Sequence, residues 1–262
     1  MRILSWNCRG AGRAPTVRAI KALACAEGHD VLFLSETKVN SPKIEKLKIS
    51  MGFADSFCVE NVGKVGGLAL FWKLGVELEI IFTNQNVMAA LVYSDPPENV
   101  WLLIVVHGPP YLAKKCKFWK LMEEIIGGFS GHWLLLGDLN SISVRSKKMG
   151  GSQKGERSSR SFRNFVNNVR AIDLGFNGPK FTWSNKRIGW ANIRERLDRG
   201  ICNVEWQNLF PNAGVRHLTA PNSDHNPILL DTHLDMGKGV RPFRFEAMWA
   251  KEESSVAVVE KA

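Results

Sequence analysis

The chain is short of the cysteine patterns that would dominate its chemistry. Cys8, Cys25, Cys58, Cys116 and Cys202 are scattered, odd in number and form no CxxC pair. That argues against a disulfide framework and against a zinc site, and it suits a reducing compartment. Long hydrophobic runs are missing as well. None exceeds Val100–Val106, whereas roughly 20 apolar residues are needed to cross a bilayer, so no membrane partner is expected. Strand-like Ile3-Leu4-Ser5-Trp6 stands at the very start, so no secretory signal is expected, and no nuclear targeting run is evident. There is no internal repeat and no break long enough to be a domain linker. One domain over residues 1–233 is expected. Beyond it, residues 234–262 read as an appended tail or truncated linker, interrupted by Gly237, Gly239 and Pro242.

What is present describes a globular protein with a substantial core: 45% of the 262 residues are hydrophobic and 23% charged. The net charge of +10 becomes informative once located. Residues 141–200 hold fourteen Lys or Arg against four Asp or Glu, and the remainder balances at twenty-one of each. One segment therefore carries the whole excess. It reads either as the electrostatic footprint of a polyanion or as a solvated, solubilising face, and charge alone does not separate the two.

Short apolar runs rich in β-branched residues recur at Ile3–Trp6, Val31–Ser35, Leu68–Trp72, Val76–Phe82, Val87–Tyr93, Val100–Val106 and Trp133–Gly137. Weaker ones lie at Lys180–Trp183, Arg196–Ile201, Val215–Leu218 and Ile228–Thr232. Three stretches show helical spacing instead: Val17, Ile20, Leu23 and Ala24, stopped by Gly28; Phe118, Leu121, Met122 and Ile125, stopped by Gly127-Gly128; and Phe162, Phe165, Val166 and Val169. Many strands with a few helices between them predict an α/β fold, a four-layer sandwich of two packed mixed β-sheets flanked by helices.

Five polar motifs fall at the ends of expected strands: Trp6-Asn7-Cys8-Arg9, Leu34-Ser35-Glu36-Thr37-Lys38, Leu136-Gly137-Asp138-Leu139-Asn140, Arg196-Leu197-Asp198-Arg199 and Ser223-Asp224-His225. Side chains in such places gather at one sheet edge, where function usually sits. Singly each has an ordinary reading. Glu36 is a solvated strand end, Gly-Asp-Leu-Asn a turn, Asn7 a loop cap and His225 a satisfied surface residue. Together they offer carboxylates, amides and one imidazole with no thiol among the acting groups. That donor set suits a hard cation, magnesium or manganese rather than zinc.

In that order the motifs resemble the endonuclease/exonuclease/phosphatase family over roughly residues 1–233. Further phrases, Gly66-Gly67-Leu68-Ala69, Asp173-Leu174-Gly175-Phe176, Phe181-Thr182-Trp183-Ser184-Asn185 and Arg241-Pro242-Phe243-Arg244-Phe245, look like the endonucleases of plant LINE-type retrotransposons. The resemblance implies a magnesium-dependent hydrolysis of DNA phosphodiesters in which one strand is nicked. It implies that Glu36 anchors the metal with Asn7 beside it, and that Asp224 helps to place metal or water. Asp138 would position or deprotonate the attacking water, and Asn140 would hold it and a phosphate oxygen. His225 would bind the scissile phosphate, oriented by Asp198. The partner implied is DNA, the location intracellular and nuclear, and no reverse transcriptase is expected within this chain. An abasic-site repair nuclease would share the same residues, and a small-molecule or lipid phosphatase is disfavoured by the charge surplus.

The pattern is broken in one place. Where the family usually has a Tyr before a Gly, this chain reads Val106-His107-Gly108-Pro109-Pro110. His107 therefore stands where a phenol would touch the phosphate, which also leaves open a catalytically impaired DNA-binding relic. Tyr111 is a candidate substitute on a loop stiffened by two prolines. For DNA contact the basic segment offers Arg145, Lys147, Lys148, Lys154, Arg157, Arg160, Arg163, Lys186 and Arg187, with Arg157, Arg160, Arg163, Lys186 and Arg187 foremost and Trp190 interleaved. Trp183 is interleaved there too, and core packing is preferred for it over a DNA contact.

Overall fold

Most of the apolar runs form strands buried on both faces, as expected of sheets covered on either side, while the edge strand Leu78–Thr83 is only partly covered. The computed structural model describes residues 1–63, 65–142, 147–151 and 156–234, without the side chains of 156–159. Among these residues one six-stranded sheet contains β1 (Arg2–Asn7), β2 (Val31–Ser35), β3 (Asp55–Val59), β4 (Leu68–Trp72), β14 (Gly214–His217) and β15 (Ile228–Asp231), in the order β14-β15-β1-β2-β4-β3. A second contains β5 (Leu78–Thr83), β6 (Val87–Val92), β7 (Trp101–His107), β8 (His132–Asp138), β10 (Ile172–Asp173) and β13 (Asp198–Cys202), in the order β10-β13-β8-β7-β6-β5. A small third sheet joins β9 (Lys148–Met149), β11 (Trp183–Ser184) and β12 (Arg194–Glu195).

Period-two alternation sorts the side chains into layers. Ile3, Val31, Phe33, Leu68 and Leu70 of the first sheet pack against Met88, Trp101, Leu103, Leu134 and Leu136 of the second. Their alternates Leu4, Trp6, Leu32, Leu34 and Phe71 point outward to α1 (Ala14–Glu27) and α2 (Ser41–Met51). On the far side Leu102, Ile104, Trp133 and Leu135 meet α3 (Leu112–Gly127) and α4 (Glu156–Asn168). The result is the expected four-layer sandwich. No helix among the described residues is long and apolar enough to cross a membrane. The expected tail falls outside the described residues from 235 on, as do Arg145, Lys154 and the side chain of Arg157.

Several elements differ from expectation. Helix α2 was not anticipated, although Pro42 opens it, Ile44 and Leu47 are its buried positions and Gly52 ends it at φ 73. Only two buried residues make a stripe too thin to stand out. Short α5 (Val204–Leu209), capped by the Asn203 side chain accepting from the Trp206 amide, and the half-exposed edge strand β3 escape for the same reason. The run expected at Lys180–Trp183 yields only the two-residue β11, and that at 196–201 starts as a strand at Asp198.

Two histidines are held inside this scaffold without charge. His29 is buried beside Phe53, with ring centroids 5.8 Å apart, and neither ring nitrogen has a partner among the described residues. His217 is stacked flat on Phe176 at 4.4 Å. Burial lowers each to about 4, against about 6.5 in an unfolded chain. As pH falls below 6.5 the unfolded chain therefore takes up protons that the folded chain refuses until about pH 4. Their contribution is neutral above 6.5, and stability is lost as pH falls. Thermal melting at pH 7 and pH 5 is expected to show a loss on the order of 2 kcal/mol per histidine. His29→Leu should remove one share; an equal loss in parent and variant would clear His29 of it.

Candidate active site

Strand ends from both sheets meet at one edge. β1 and β2 run parallel and end together at Asn7 and Ser35, and β7 and β8 run parallel and end together at His107 and Asp138. The crevice outside the carboxyl ends of parallel strands is where ligands bind in such sheets. β13 enters antiparallel to β8 with Asp198 opposite Asp138. His225 precedes β15, which pairs with β1 and so delivers it to the same edge.

Glycines at two places make this convergence possible. A Cβ on Gly137, at φ +138, would sit 2.2 Å from the Val106 carbonyl oxygen, so only glycine lets β8 lie this close to β7 just before Asp138. Glu36 and Lys38 adopt left-handed backbone at φ 50 and 53, conformations that non-glycine residues hold only when their surroundings impose them. Here the Gly66 and Gly67 carbonyls accept from the Lys38 and Thr37 amides at 3.1 Å each. A side chain on Gly67 would meet Thr37 Oγ1 at 2.3 Å. The Gly66-Gly67 pair is thus the outer brace of the Glu36 turn.

Asp138, buried, is the hub. Its Oδ2 accepts from Asn7 Nδ2 at 3.1 Å and from Asn140 Nδ2 at 3.2 Å, and its Oδ1 accepts from the Asn140 amide at 2.9 Å. The same Oδ2 lies 3.6 Å from His225 Nε2 and 3.8 Å from His107 Nε2. Asn7 Nδ2 also donates to Glu36 Oε1 at 3.2 Å. His225 Nδ1 is 3.0 Å from Asp198 Oδ2. Burial opposes charge on His225, but Asp138 and Asp198 outweigh it and push the imidazole up to about 9. Burial, with Asp138 alongside, pushes the Asp198 carboxyl upward. Burial would likewise raise Glu36, yet His107 at 3.4 Å, Lys38 at 2.9 Å and Arg9 at 3.7 Å hold its carboxyl well below the usual range. Glu36 therefore stays anionic at neutral pH.

The fit to a cation rests on an orphan atom. Asn7 Oδ1 is buried with no hydrogen-bond partner among the described residues, an expensive state for a carbonyl unless something binds there. Beside Glu36 it forms an all-oxygen donor set that fits a hard divalent ion. Asp138, Asp198 and His225 form a second group whose ligand atoms lie within 4.8 Å of one another, but there His225 Nδ1 is already engaged by Asp198. Asp224 stands slightly apart: its Oδ1 meets Arg9 Nε at 2.8 Å and its Oδ2 accepts from Trp183 Nε1 at 2.9 Å.

A cleft of about 340 Å³ opens over these groups, lined by Arg9, Lys115, Asn140, Lys148, Trp183 and His225 among others. Trp183 was expected in the core. Instead it is half-buried on the cleft wall, because its ring nitrogen must satisfy Asp224 and its strand is one of the short third sheet. Tyr111 is 71% exposed at the start of α3, whereas His107 Nε2 faces Glu36 and Asp138. Lys186 and Arg187 lie on an exposed turn whose Ile188 and Trp190 are 94% and 95% exposed. Arg160 and Arg163 are exposed on α4, whose Phe162 and Phe165 pack on Trp119.

Sequence reasoning missed Lys115, which is buried and donates to the Asn140 carbonyl oxygen. Its signal was available: it stands three residues before Phe118, in phase with the α3 stripe, where a lysine is out of place. Arg9 and Lys38 lay within quoted motifs without a role. Nothing local marked them as partners of Asp224 and Glu36.

The sequence matches the Endonuclease/Exonuclease/phosphatase family over residues 4–225. Among curated proteins no significant match is found. Similar solved structures include the AP endonuclease LMAP from Leishmania major, at 17% identity and TM-score 0.69, covering 87% of this chain and 86% of that one. The 3'-5' exonuclease NExo from Neisseria meningitidis matches at 18% and 0.67, covering 89% and 100%. The endonuclease domain of TRAS1, a telomere-specific non-LTR retrotransposon, matches at 15% and 0.65, covering 89% and 99%. At these identities what is shared is the fold.

Proposed function

The chain belongs to the endonuclease/exonuclease/phosphatase family, and from that premise we propose that it is a divalent-cation-dependent DNA endonuclease that nicks one strand, of the plant LINE retrotransposon type. The observation that carries this reading is the placement of Asp138. One buried carboxylate faces the Asn7–Glu36 pair on one side and the His225–Asp198 pair on the other. A phosphate seated between the two pairs has an oxygen-donor site at one end and an imidazolium at the other.

Glu36 and Asn7 would hold magnesium or manganese, with Asp224 reaching it through rearrangement of Arg9. When bound, the ion would neutralise charge on the phosphate and the leaving oxygen. Asp138 is the group that orients the attacking water and takes its proton, and Asn140 fixes Asp138 and reaches the phosphate. His225, charged at neutral pH, donates to the phosphate oxygens where negative charge grows. Asp198 keeps the ring in that orientation. The test is supercoiled plasmid with and without magnesium: nicked circles with the ion and none after chelation are expected. No nicking with magnesium or manganese would defeat the reading. An abasic-site nuclease is the second reading, favoured by the likeness to LMAP; preferential cutting of a duplex carrying one abasic site would select it.

The exposed cations Lys186, Arg187, Arg160 and Arg163 would supply sequence-independent phosphate contacts. Reversing Lys186 and Arg187 to Glu is expected to weaken DNA binding. It should also flatten the slope of log affinity against log salt by about 0.9 for each phosphate no longer neutralised. Unchanged affinity and slope in a salt titration would leave these side chains as a solvated face.

A further inference from the structure

The segment Phe181-Thr182-Trp183-Ser184 has no task once the reacting groups are assigned, yet both halves of the His225–Asp198 pair hang from it. Thr182 is fully buried. Its Oγ1 accepts from the amides of Leu197 and Asp198, at 3.0 Å each. Its carbonyl oxygen accepts from the Asn226 amide at 2.7 Å, next to His225. On either side its amide donates to the Glu195 carbonyl at 3.1 Å, Ser184 donates to the Asp224 carbonyl at 3.1 Å, and Trp183 bridges to His225.

Asp173, Arg199 and Ser223 each hold one half. Asp173 accepts from Arg196 Nη2 at 2.6 Å, and Arg199 Nη2 donates to the Arg196 carbonyl at 3.0 Å, which pins the residues flanking Asp198. Ser223 Oγ accepts from the His225 amide at 3.1 Å and donates to the Asn7 carbonyl at 2.8 Å, which pins the His225 loop to β1. Thr182 reaches both: the start of β13 through its hydroxyl and the loop before β15 through its carbonyl.

We propose that Thr182 is a positioning residue, setting the separation of Asp198 and His225 and so the aim of the imidazole at the scissile phosphate. This rests on the reading of the chain as a phosphodiester hydrolase that uses His225. A hydroxyl oxygen has two lone pairs for the two amides. A valine of the same shape has none, so two buried amides would be left without an acceptor and the first residues of β13 would move to satisfy them.

Thr182→Val and Thr182→Ser in the full chain test this with two readouts. One is kcat and KM for nicking a short duplex with magnesium. The other is the far-downfield proton resonance of the His225 ring N–H facing Asp198, recorded without DNA. Valine is expected to lower kcat at least tenfold while KM stays within about twofold, and to shift the resonance. Serine should restore both. If valine reduces only thermal stability, leaving kcat per folded molecule and the resonance as in the parent, the proposal is overturned. Should valine not fold, Thr182→Cys takes its place with the same expectation, since sulfur keeps the volume and accepts weakly. Should the parent itself not nick, the functional reading fails and the resonance decides alone: unchanged in the variant overturns the proposal, shifted and restored by serine sustains it.

Discussion

Asp138→Asn is expected to lower magnesium-supported nicking by about 1,000-fold or more, within the range lost when a general base is removed. The carboxylate is the acceptor for Asn7 Nδ2 and for both nitrogens of Asn140, and it faces His225 Nε2. An amide in its place keeps the volume but turns an NH₂ toward donors and carries no charge to orient or deprotonate water. The fold should persist. The substitution also relieves repulsion from Asp198, directly opposite on β13, so the melting temperature should stay within about 5 °C. Glu36→Gln should be nearly as severe but differ in kind. Its defect lies in holding the cation, so raising manganese should recover part of the rate, whereas no metal concentration should rescue Asp138→Asn. Nicking at the parent rate by either variant would remove that residue from the site. Rescue of both alike would mean that the two carboxylates share one role.

His107→Tyr is expected to act in the opposite direction, raising the nicking rate by up to about 100-fold, the scale on which a single well-placed donor to a growing oxyanion counts. The backbone at this position is fixed, with the His107 amide donating to the Asn86 carbonyl at 2.8 Å and Asn86 Nδ2 donating back to the His107 carbonyl at 2.7 Å. A phenol would therefore start from the same point and reach farther into the cleft than an imidazole. The imidazole now spends its Nε2 on the floor of the site, 3.4 Å from Glu36 and 3.8 Å from Asp138. His107→Phe is the control: it removes the donor, and its rate should fall below that of the parent. Parallel nicking time courses of the three proteins decide the matter. If Tyr gives no gain while the parent nicks well, histidine is an adequate donor here. If none of the three nicks, the binding-relic reading replaces the enzyme.

The amino-acid sequence by itself determined the layers and the roster of polar groups. Strand periodicity at Ile3–Trp6, Val31–Ser35 or Val100–Val106 is a local property, because every second side chain must find apolar cover whichever partner provides it. The same holds for the polar residues that directly follow those runs: Asn7, Glu36 and Asp138 stand at or just past strand ends as expected, whereas Asp198 opens β13 and His225 lies ahead of β15. Weak or short patterns were illegible for the converse reason: α2 buries only Ile44 and Leu47, and β3 is half exposed. What only the tertiary structure decided is who faces whom. Asp138 meets Asp198 through antiparallel register and Asn7 through sheet stacking, across 60 and 131 positions of chain, and no local signal encodes such distances. Trp183 left the core because Asp224 needed its ring nitrogen. Lys115 is buried at the cleft wall, where it donates to the Asn140 carbonyl. Thr182, an unremarkable residue in a short run, became the point where two distant segments are tied. Burial and pairing are properties of the assembled neighbourhood, and the electrostatics follow from them. His225 is charged because two carboxylates surround it, and His29 is neutral because burial, with Lys73 beside it, outweighs the pull of Asp30.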